Sequence, residues 1–348
     1  MNRKPSTVNW SSRYSRQVFF SGIGESGQTR LGRSRVAVVG LGALGSAVAG
    51  LLVRAGIGRL IVVDRDFVEL HNLQRQTLYD EDDAASRLPK ALAAEKRLQK
   101  INREVEIQAR VDDLNPKNIE RLLGGADIVL DGSDNMETRF LVNDFCVRSG
   151  KPWIYGGVIG SVGMSLNVVP GQGPCLRCVF PDLPGPGELP TCDTVGILNS
   201  LPATIGAVEV TEAIKLLVGS PDWRRELLYL DLWKNTIKLL PVRAVAECEC
   251  CGRRKFPYLE SKATAWVTTL CGRNTVQISP AEERELDLAK LTATLKAHGE
   301  VENNGYLLEF RPREHREQLV IFPNGRVLVQ GTDQEALART LYAKYLGG

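Results

Sequence analysis

The chain has 348 residues and a formal net charge of +3, and it is 43% hydrophobic and 24% charged. This composition is typical of a globular protein with a substantial core, and the length allows one large domain and a smaller one. Lysine and arginine do not occur in blocks, so we expect no nucleic-acid partner.

The N-terminal segment lacks the apolar run of a secretory signal, which predicts a cytoplasmic protein. Residues 36–53 carry no charge and have the length of a membrane-spanning helix. Glycines within this run and the strand-like RLIVVD after it favour a buried strand, turn and helix, so we expect no membrane segment. Eight cysteines in such a chain favour metal or thiol chemistry over disulfides.

Short apolar strands alternate with helical patterns in the first half of the chain. RVAVVG precedes an Ala/Leu-rich helix, RLIVVD precedes a polar loop, the helix LPKALAAEKRLQKIN precedes the strand EVEIQARV, and ADIVLDGSDN ends another buried strand. This order predicts an α/β fold with a Rossmann-like, mostly parallel sheet and helices on both faces. Because ligands bind at the carboxyl ends of such strands, we expect Gly40–Gly45, Asp64 and Asp131–Asn135 to converge on one crevice.

The second half continues with a Pro/Gly-rich loop, FPDLPGPGEL, and a helix, ATIGAVEVTEAIKLLVG, that ends at Gly219. The strands ELLYLDL and TIKLLPV follow. The last part combines strands at AWVTTL, TVQI and YLLEF, a helix at LDLAKLTATLKAHG, a hairpin turned by Asn324-Gly325, and a final helix. We therefore predict two domains, residues 1–258 and a small C-terminal α+β domain of residues 259–348.

A glycine-rich turn predicts a nucleotide site. Gly40, Gly42 and Gly45 form G-x-G-x-x-G between a strand and a helix, where backbone N–H groups face a phosphate. Asp64 ends the next strand, where an acidic residue binds the ribose of a dinucleotide. These four residues fit an NAD-linked oxidoreductase as well as an ATP-dependent enzyme.

The residues that follow favour ATP. The segment DRDFVELHNLQRQ places Asn72, Arg75 and Gln76 beyond the ribose position, and arginine offers a rigid fork for phosphate oxygens. Lys90 begins a helix and adds a second cation. Solvated surface charges are the alternative interpretation of Arg75 and Lys90.

The segment DGSDN adds Asp131, Asp134 and Asn135 at a strand end. Carboxylates at such a place can hold Mg²⁺ while phosphates complete its coordination shell. Asp134 could instead cap the helix that follows it. The glycine turn, the two cations and the carboxylates together predict a site that activates a phosphate.

The motifs RYSRQ, GLGALG, VVDRDFVELHNLQRQ, LPK, DGSDN, CLRC, PTCDTVGIL and a closing cysteine pair occur in the order found in the ThiF/MoeB/HesA family. The chain resembles this family, bacterial relatives of the ubiquitin-activating enzymes, over about residues 10–256. The resemblance implies an adenylyltransferase that binds Mg-ATP. Its substrate would be the C-terminal glycine carboxylate of a small Gly-Gly-ending sulfur-carrier or ubiquitin-like protein, and pyrophosphate would be released.

The resemblance also implies roles for individual residues. The nucleotide-binding set is Gly40, Gly42, Gly45, Asp64, Asn72, Arg75, Gln76, Lys90, Asp134 and Asn135. Within it, Asn72, Arg75 and Lys90 would contact phosphates and Asp134 would ligate Mg²⁺. Arg16 of RYSRQ matches an arginine that reaches into the partner subunit's site, which implies a homodimer.

Two cysteine pairs predict a metal site. Cys175 and Cys178, and Cys248 and Cys251, have the same two-residue gap, and together they would give a closed, structural Zn²⁺ site of four thiolates. Separate buried or redox thiols are the alternative. We expect Cys250 to be spare, although it competes with Cys251 for the register.

We expect other roles for the cysteines outside the two pairs. The resemblance implies that Cys192 can take the activated carrier through a thioester or acyl-disulfide, although some members work without this cysteine. Cys146 and Cys271 lie in apolar segments and are expected to be small buried hydrophobes. Several members carry a C-terminal rhodanese domain, and here only Cys271 follows the second pair, so sulfur loading would depend on another protein.

Other functions remain open in the sequence. A non-catalytic scaffold that retains the fold and activation of a free carboxylate are both compatible with it, besides the oxidoreductase. The end Leu346-Gly347-Gly348 looks like a carrier tail, and a frayed helix end is the ordinary explanation. Carriers of the thiamine, molybdopterin, cysteine and tRNA-thiolation pathways are not separated by the sequence.

Overall fold

The computed structural model describes residues 13–183, 192–261, 266–270, 274–280 and 285–347, without the side chains of residues 192, 193 and 266–270. Its contacts divide the chain into two compact units. One comprises Met1–Leu183 and Ile197–Glu260, and the other comprises Pro184–Gly196 and Ser261–Gly348. Across the described residues, every helix is too short or too polar to cross a membrane.

An eight-stranded sheet forms the centre of the first unit. Its strands are β1 (Arg35–Val39), β2 (Arg59–Val63), β3 (Glu106–Arg110), β4 (Ile128–Asp131), β5 (Trp153–Ile159), β6 (Val162–Val168), β7 (Leu227–Asp231) and β8 (Thr236–Leu240). Their spatial order is β3-β2-β1-β4-β5-β6-β7-β8. The first five strands in this order pair in parallel, and β6, β7 and β8 extend the sheet in antiparallel fashion.

Helices cover both faces of this sheet, as predicted. Over both units, the α-helices of the described residues are α1 (Ser15–Val18), α2 (Gly24–Leu31), α3 (Ala43–Ala55), α4 (Glu81–Ala85), α5 (Lys90–Ile101), α6 (Ile119–Leu123), α7 (Met136–Ser149), α8 (Leu176–Val179), α9 (Cys192–Val195), α10 (Ser200–Val218), α11 (Pro257–Glu260), α12 (Leu288–Leu295) and α13 (Glu335–Leu346). Alternate residues of β1 enter two cores: Val36 and Val38 pack with α3 and α10, whereas Ala37 and Val39 pack with α6 and α7. This alternation places α3 and α7 on opposite faces.

The second unit contains an antiparallel sheet of six strands. They are β9 (Trp266–Leu270), β10 (Thr275–Ser279), β11 (Gly299–Asn303), β12 (Leu308–Pro312), β13 (Gln318–Ile321) and β14 (Val327–Gln330), in the order β11-β12-β13-β14-β10-β9. Residues of α12 and α13 share one apolar core with the sheet. The hairpin at Asn324-Gly325 joins β13 to β14, and Gly325 has the positive φ of +83° that its turn requires. The sequence patterns did not reveal β11.

Candidate active site

Glycines bring the ends of β1, β2 and β4 together. Gly40 N donates to Val63 O at 2.8 Å, and Gly132 N donates to Val39 O at 2.7 Å. A Cβ at Gly40 would lie 2.6 Å from Gly132 O, and one at Gly45 would lie 1.9 Å from Gly40 O. Neither position has room for a side chain. The predicted approach of the glycine turn to the end of β4 is therefore confirmed.

Gly42 differs from these glycines because it is the N-cap of α3 and faces open space. A Cβ there would have one neighbour within 4 Å, Gln76 Nε2 at 3.9 Å. Gln76 is 4% exposed, and its buried Oε1 has no hydrogen-bond partner among the described residues. The first N–H groups of α3 can bind a phosphate, and the Gln76 oxygen can accept from a ligand hydroxyl or amino group. This part of the structure therefore fits a nucleotide.

The carboxylate of Asp64 closes the same turn. Its Oδ2 accepts from Leu41 N at 2.6 Å, and its Oδ1 accepts from Asp66 N at 2.7 Å. Burial raises the pKa of Asp64, and the positive charge of Lys90 opposes this shift. Each carboxylate oxygen keeps a further lone pair, so Asp64 can still accept from ribose hydroxyls.

Lys90 begins α5 with a buried side chain. It is 4% exposed, and its Nζ lies 3.4 Å from Asp66 Oδ2. Interpreting Lys90 as a solvated surface charge is therefore wrong. Arg75 is half-buried and donates from Nη1 to His71 O at 2.9 Å, and Asn72 is buried in the same turn. Asp66 thus connects the carboxylate of Asp64 to the Lys90 cation.

The loop after β4 separates its two aspartates. Asp131 is 3% exposed; its Oδ1 accepts from Ser133 N at 2.8 Å and its Oδ2 accepts from Arg139 Nε at 2.8 Å. Asp134 is exposed, and its Oδ1 accepts a long hydrogen bond of 3.4 Å from Asn135 Nδ2. Asp131 therefore stabilises the loop through hydrogen bonds within the protein, whereas the Asp134 carboxylate remains accessible to a cation.

Asn135 is the N-cap of α7. Its side chain accepts from Thr138 N at 2.8 Å, and its backbone is extended, as is usual for a cap. The alternative interpretation of Asp134 as the helix cap is therefore wrong. Because Asn135 fills this position, Asp134 can point away from the helix start.

Arg16 lies at the opposite end of α3 from the glycine turn. Its helix, α1, is held there by Gln17 Nε2, which donates to Ala55 O at 2.9 Å, and by Asn102 Nδ2, which donates to Tyr14 Oη at 2.7 Å. The thirteen residues of α3 span about 20 Å. Within one chain the structure therefore does not bring Arg16 to the other site residues.

The two cysteine pairs meet in the fold. The Sγ atoms of Cys175, Cys178, Cys248 and Cys251 all lie within 4.8 Å of one another. Cys175 and Cys248 are 3.6 Å apart, and Cys178 and Cys251 are 3.4 Å apart. Four sulfurs bound tetrahedrally to Zn²⁺ would be separated by about 3.8 Å, so the cluster is compatible with zinc.

Two thiols of this cluster, those of Cys178 and Cys251, have raised pKa values. A hydrogen bond with Cys175 and burial raise the pKa of Cys178 to about 12, and burial and Cys178 raise that of Cys251 to about 11. A cation with strong affinity for thiolates would displace these protons. Cys250 lies outside the cluster, and its buried Sγ accepts from Asn143 Nδ2 at 3.1 Å.

Some predicted residues cannot be placed in the site. The side chain of Cys192 lies outside the described part of the structure, although its backbone begins α9. Cys271 and Gly348 also lie outside the described residues. Cys146 is fully buried on α7, as predicted.

The sequence patterns missed Asp66 and Arg139. Asp66 follows Asp64 by two positions, in a segment that was already of interest, but its contact with Lys90 depends on the fold. Arg139 is a cation in the otherwise apolar stretch RFLV, and a charge at such a place requires a buried partner. This lone cation in an apolar stretch was the sequence feature that could have indicated a buried ion pair.

Comparison with known proteins shows which family the chain belongs to. The model of the ThiF family matches residues 14–251. The chain is 43% identical over 342 residues to the sulfur carrier protein ThiS adenylyltransferase of Bacillus subtilis. This match covers 97% of this chain and 100% of that protein. It is 42% identical over 247 residues to the sulfur carrier protein adenylyltransferase of Thermus thermophilus, covering 69% of this chain and 90% of that protein.

A solved structure agrees on the fold alone. The crystal structure of E. coli MccB has a TM-score of 0.62 and 22% identity to this chain, and the match covers 72% of this chain and 76% of that one. The family match and the two relatives settle the classification. This chain belongs to the ThiF family.

Proposed function

We propose that this protein is an ATP-dependent adenylyltransferase that activates the C-terminal glycine carboxylate of a small sulfur-carrier protein. The open N-terminus of α3 at Gly42 carries this proposal, because hydrogen bonds and charge link it through Asp64 and Asp66 to Lys90. The names of the B. subtilis and T. thermophilus relatives support adenylyl transfer rather than NAD-linked oxidation.

Each site residue would have a separate role in the adenylation of the carrier carboxylate. The carrier carboxylate attacks the α-phosphorus of ATP; a new P–O bond forms, and the bond to pyrophosphate breaks. The N–H groups of α3, with Asn72, Arg75 and Lys90, would bind the phosphates and offset their charge, and Asp64 would hold the ribose. Asp134 would ligate Mg²⁺, which as a Lewis acid stabilises charge on phosphate oxygens.

A carrier of the ThiS type is the favoured substrate. The match to the B. subtilis ThiS adenylyltransferase extends over 97% of this chain, and therefore into the second unit. The match to the T. thermophilus enzyme covers 69%. A carrier that ends in Gly-Gly is the partner that this activity needs. Cys192 would then attack the acyl-adenylate, so that a thioester to the carrier forms and AMP leaves.

A homodimer completes the site in this proposal. Arg16 is exposed and lies beyond the far end of α3, a helix about 20 Å long, from the glycine turn of its own chain, so it would serve the site of a second subunit. Phe19 and Phe20, which follow it, are 75% and 63% exposed, and neighbouring exposed aromatic residues favour an interface. The four-cysteine cluster would hold one structural Zn²⁺ per subunit.

ATP–pyrophosphate exchange by the full-length protein tests the function. We expect exchange that depends on a Gly-Gly-ending carrier and is lost with the same carrier lacking its terminal glycine, which is the matched control. Exchange by the protein alone would point to its own Gly348 as substrate. Absence of exchange with every carrier from the same organism, despite ATP binding, would overturn the proposal in favour of a free carboxylate substrate or a scaffold.

A further inference from the structure

Asn143 connects the two cysteine pairs from the middle of α7. It is fully buried; its Oδ1 accepts from Leu176 N at 2.9 Å and its Nδ2 donates to Cys250 Sγ at 3.1 Å. Leu176 directly follows Cys175 in the first pair, whereas Cys250 lies inside the second pair. One amide therefore fixes a backbone group of the first pair and a side chain of the second.

The chemistry of asparagine suits this position. A primary amide has both an acceptor and donors, so a single side chain can satisfy a backbone N–H and a sulfur at once. The hydrogen bond to Cys250 also holds its thiol on α7, while the neighbouring Cys251 faces Cys178 at 3.4 Å. The amide thus separates the roles of two adjacent cysteines.

We propose that Asn143 is a positioning residue for the four-cysteine site: it joins the two cysteine pairs and keeps Cys250 out of the metal-binding set. The inference rests on the proposed binding of zinc by the cluster. Its physical basis is preorganisation, since residues that orient metal ligands through hydrogen bonds raise metal affinity without touching the metal. A residue on α7 performs this role for ligands that lie 73 positions apart in sequence.

Zinc retention by the full-length protein is the test. Wild-type protein is first assayed for bound zinc, since protein without zinc would refute the proposed zinc site itself. Zinc release to a chromogenic chelator is then timed. We expect release to be about tenfold faster or more in Asn143→Ala. The control is Ser149→Ala on the same helix, because Ser149 Oγ bonds within α7, to Phe145 O at 2.7 Å.

A second pair of variants covers the case in which Asn143→Ala does not fold. Cys250→Ser keeps an acceptor for the amide and should release zinc as the wild type does, whereas Cys250→Ala should release it faster. Asn143→Ala with Cys250→Ala should speed release by less than the product of the two single effects, because both changes remove the bond between Asn143 and Cys250, although Cys250→Ala also removes the contact of Cys250 with Asp144. A lower melting temperature with an unchanged release rate would overturn the proposal and leave Asn143 a purely structural residue.

Discussion

Arg139 Nη2 on α7 donates to Gly156 O on β5 at 2.9 Å, and the same nitrogen donates to Ser133 O at 2.7 Å. Arg139 Nε also donates to Asp131 Oδ2 at 2.8 Å. The guanidinium of Arg139, a residue that is only 9% exposed, therefore fixes the loop that presents Asp134. The shape of this loop depends on a buried ion pair as well as on the strand before it.

Replacing Arg139 by Ala should be strongly destabilising. The change leaves the Asp131 carboxylate buried without its cation, which costs about 3–5 kcal/mol in comparable sites. Urea unfolding measures the loss. The control is Arg35→Ala, which removes an exposed ion pair with Asp127 and should cost much less. Equal losses in the two variants would mean that burial of Asp131 carries no special penalty.

Replacing Asp134 by Asn should separate catalysis from stability. The carboxylate is exposed, so its loss should hardly change the free energy of unfolding. Removing the charge that would hold Mg²⁺ should slow carrier-dependent ATP–pyrophosphate exchange about 100-fold or more. Glu335→Gln, an exposed carboxylate on α13, should leave exchange unchanged. Wild-type exchange by Asp134→Asn over a magnesium titration would refute the ligand role.

Arg16 should act across the subunit interface. Arg16→Ala and Asp134→Asn proteins should each be inactive in exchange. A heterodimer of the two, isolated with two different affinity tags, has one site with both residues intact and should recover about half of the wild-type activity. A heterodimer as inactive as its parents would contradict action of Arg16 in the partner's site.

Local sequence patterns predicted the elements of the first unit well but not the partners of its charged residues. The helix end at Gly219 and the convergence of the glycine turn with the end of β4 follow from glycine chemistry and strand order, and both are confirmed. Asp134 and Asn135 have similar capping propensities, so only the backbone geometry identifies the cap. The contact of Arg139 with Gly156 joins α7 to β5, and no local pattern encodes it.

The cysteine spacing likewise predicted part of the metal site and missed another part. The spacing of CLRC and CECC predicted that four cysteines could meet, and the cluster confirms that meeting. The spacing could not assign Cys250, because its sulfur is bonded by Asn143, which is 107 positions away in sequence. Long-range contacts of this kind appear only when the helices are packed.

Glu209 should make stability depend on pH. It is fully buried on α10, and within the part of the chain that the structure describes neither carboxylate oxygen has a hydrogen-bond partner. Burial, reinforced by the charge of Asp131, raises its pKa well above the usual value. As the pH rises through the ordinary glutamate range, the unfolded chain loses a proton that the folded chain keeps. Folding stability therefore decreases by up to about 1.4 kcal/mol per pH unit until the folded pKa is reached.

Glu209→Gln should remove this dependence. Glutamine has nearly the same shape and no charge, so the variant should gain stability relative to the wild type as the pH rises from about 4 to about 7. Urea unfolding at several pH values measures the difference. Parallel stability curves for the two proteins would contradict a raised pKa at Glu209.

Adding one methyl group to each of two glycines should distinguish nucleotide binding from folding. A Cβ at Gly45 would lie 1.9 Å from Gly40 O, a backbone atom that cannot easily move, so Gly45→Ala should lower the melting temperature markedly. A Cβ at Gly42 would meet nothing closer than 3.9 Å, so Gly42→Ala should fold with a loss of about 1 kcal/mol or less.

ATP binding per folded molecule should show the reverse order: Gly42→Ala should be affected more than Gly45→Ala. The methyl group of Gly42→Ala would occupy the space at the start of α3 where a phosphate approaches the backbone, so calorimetry should give an ATP affinity at least about tenfold weaker than that of the wild type. If Gly42→Ala binds ATP as tightly as the wild type, the phosphates do not lie over Gly42, and the N-terminus of α3 is not the nucleotide site.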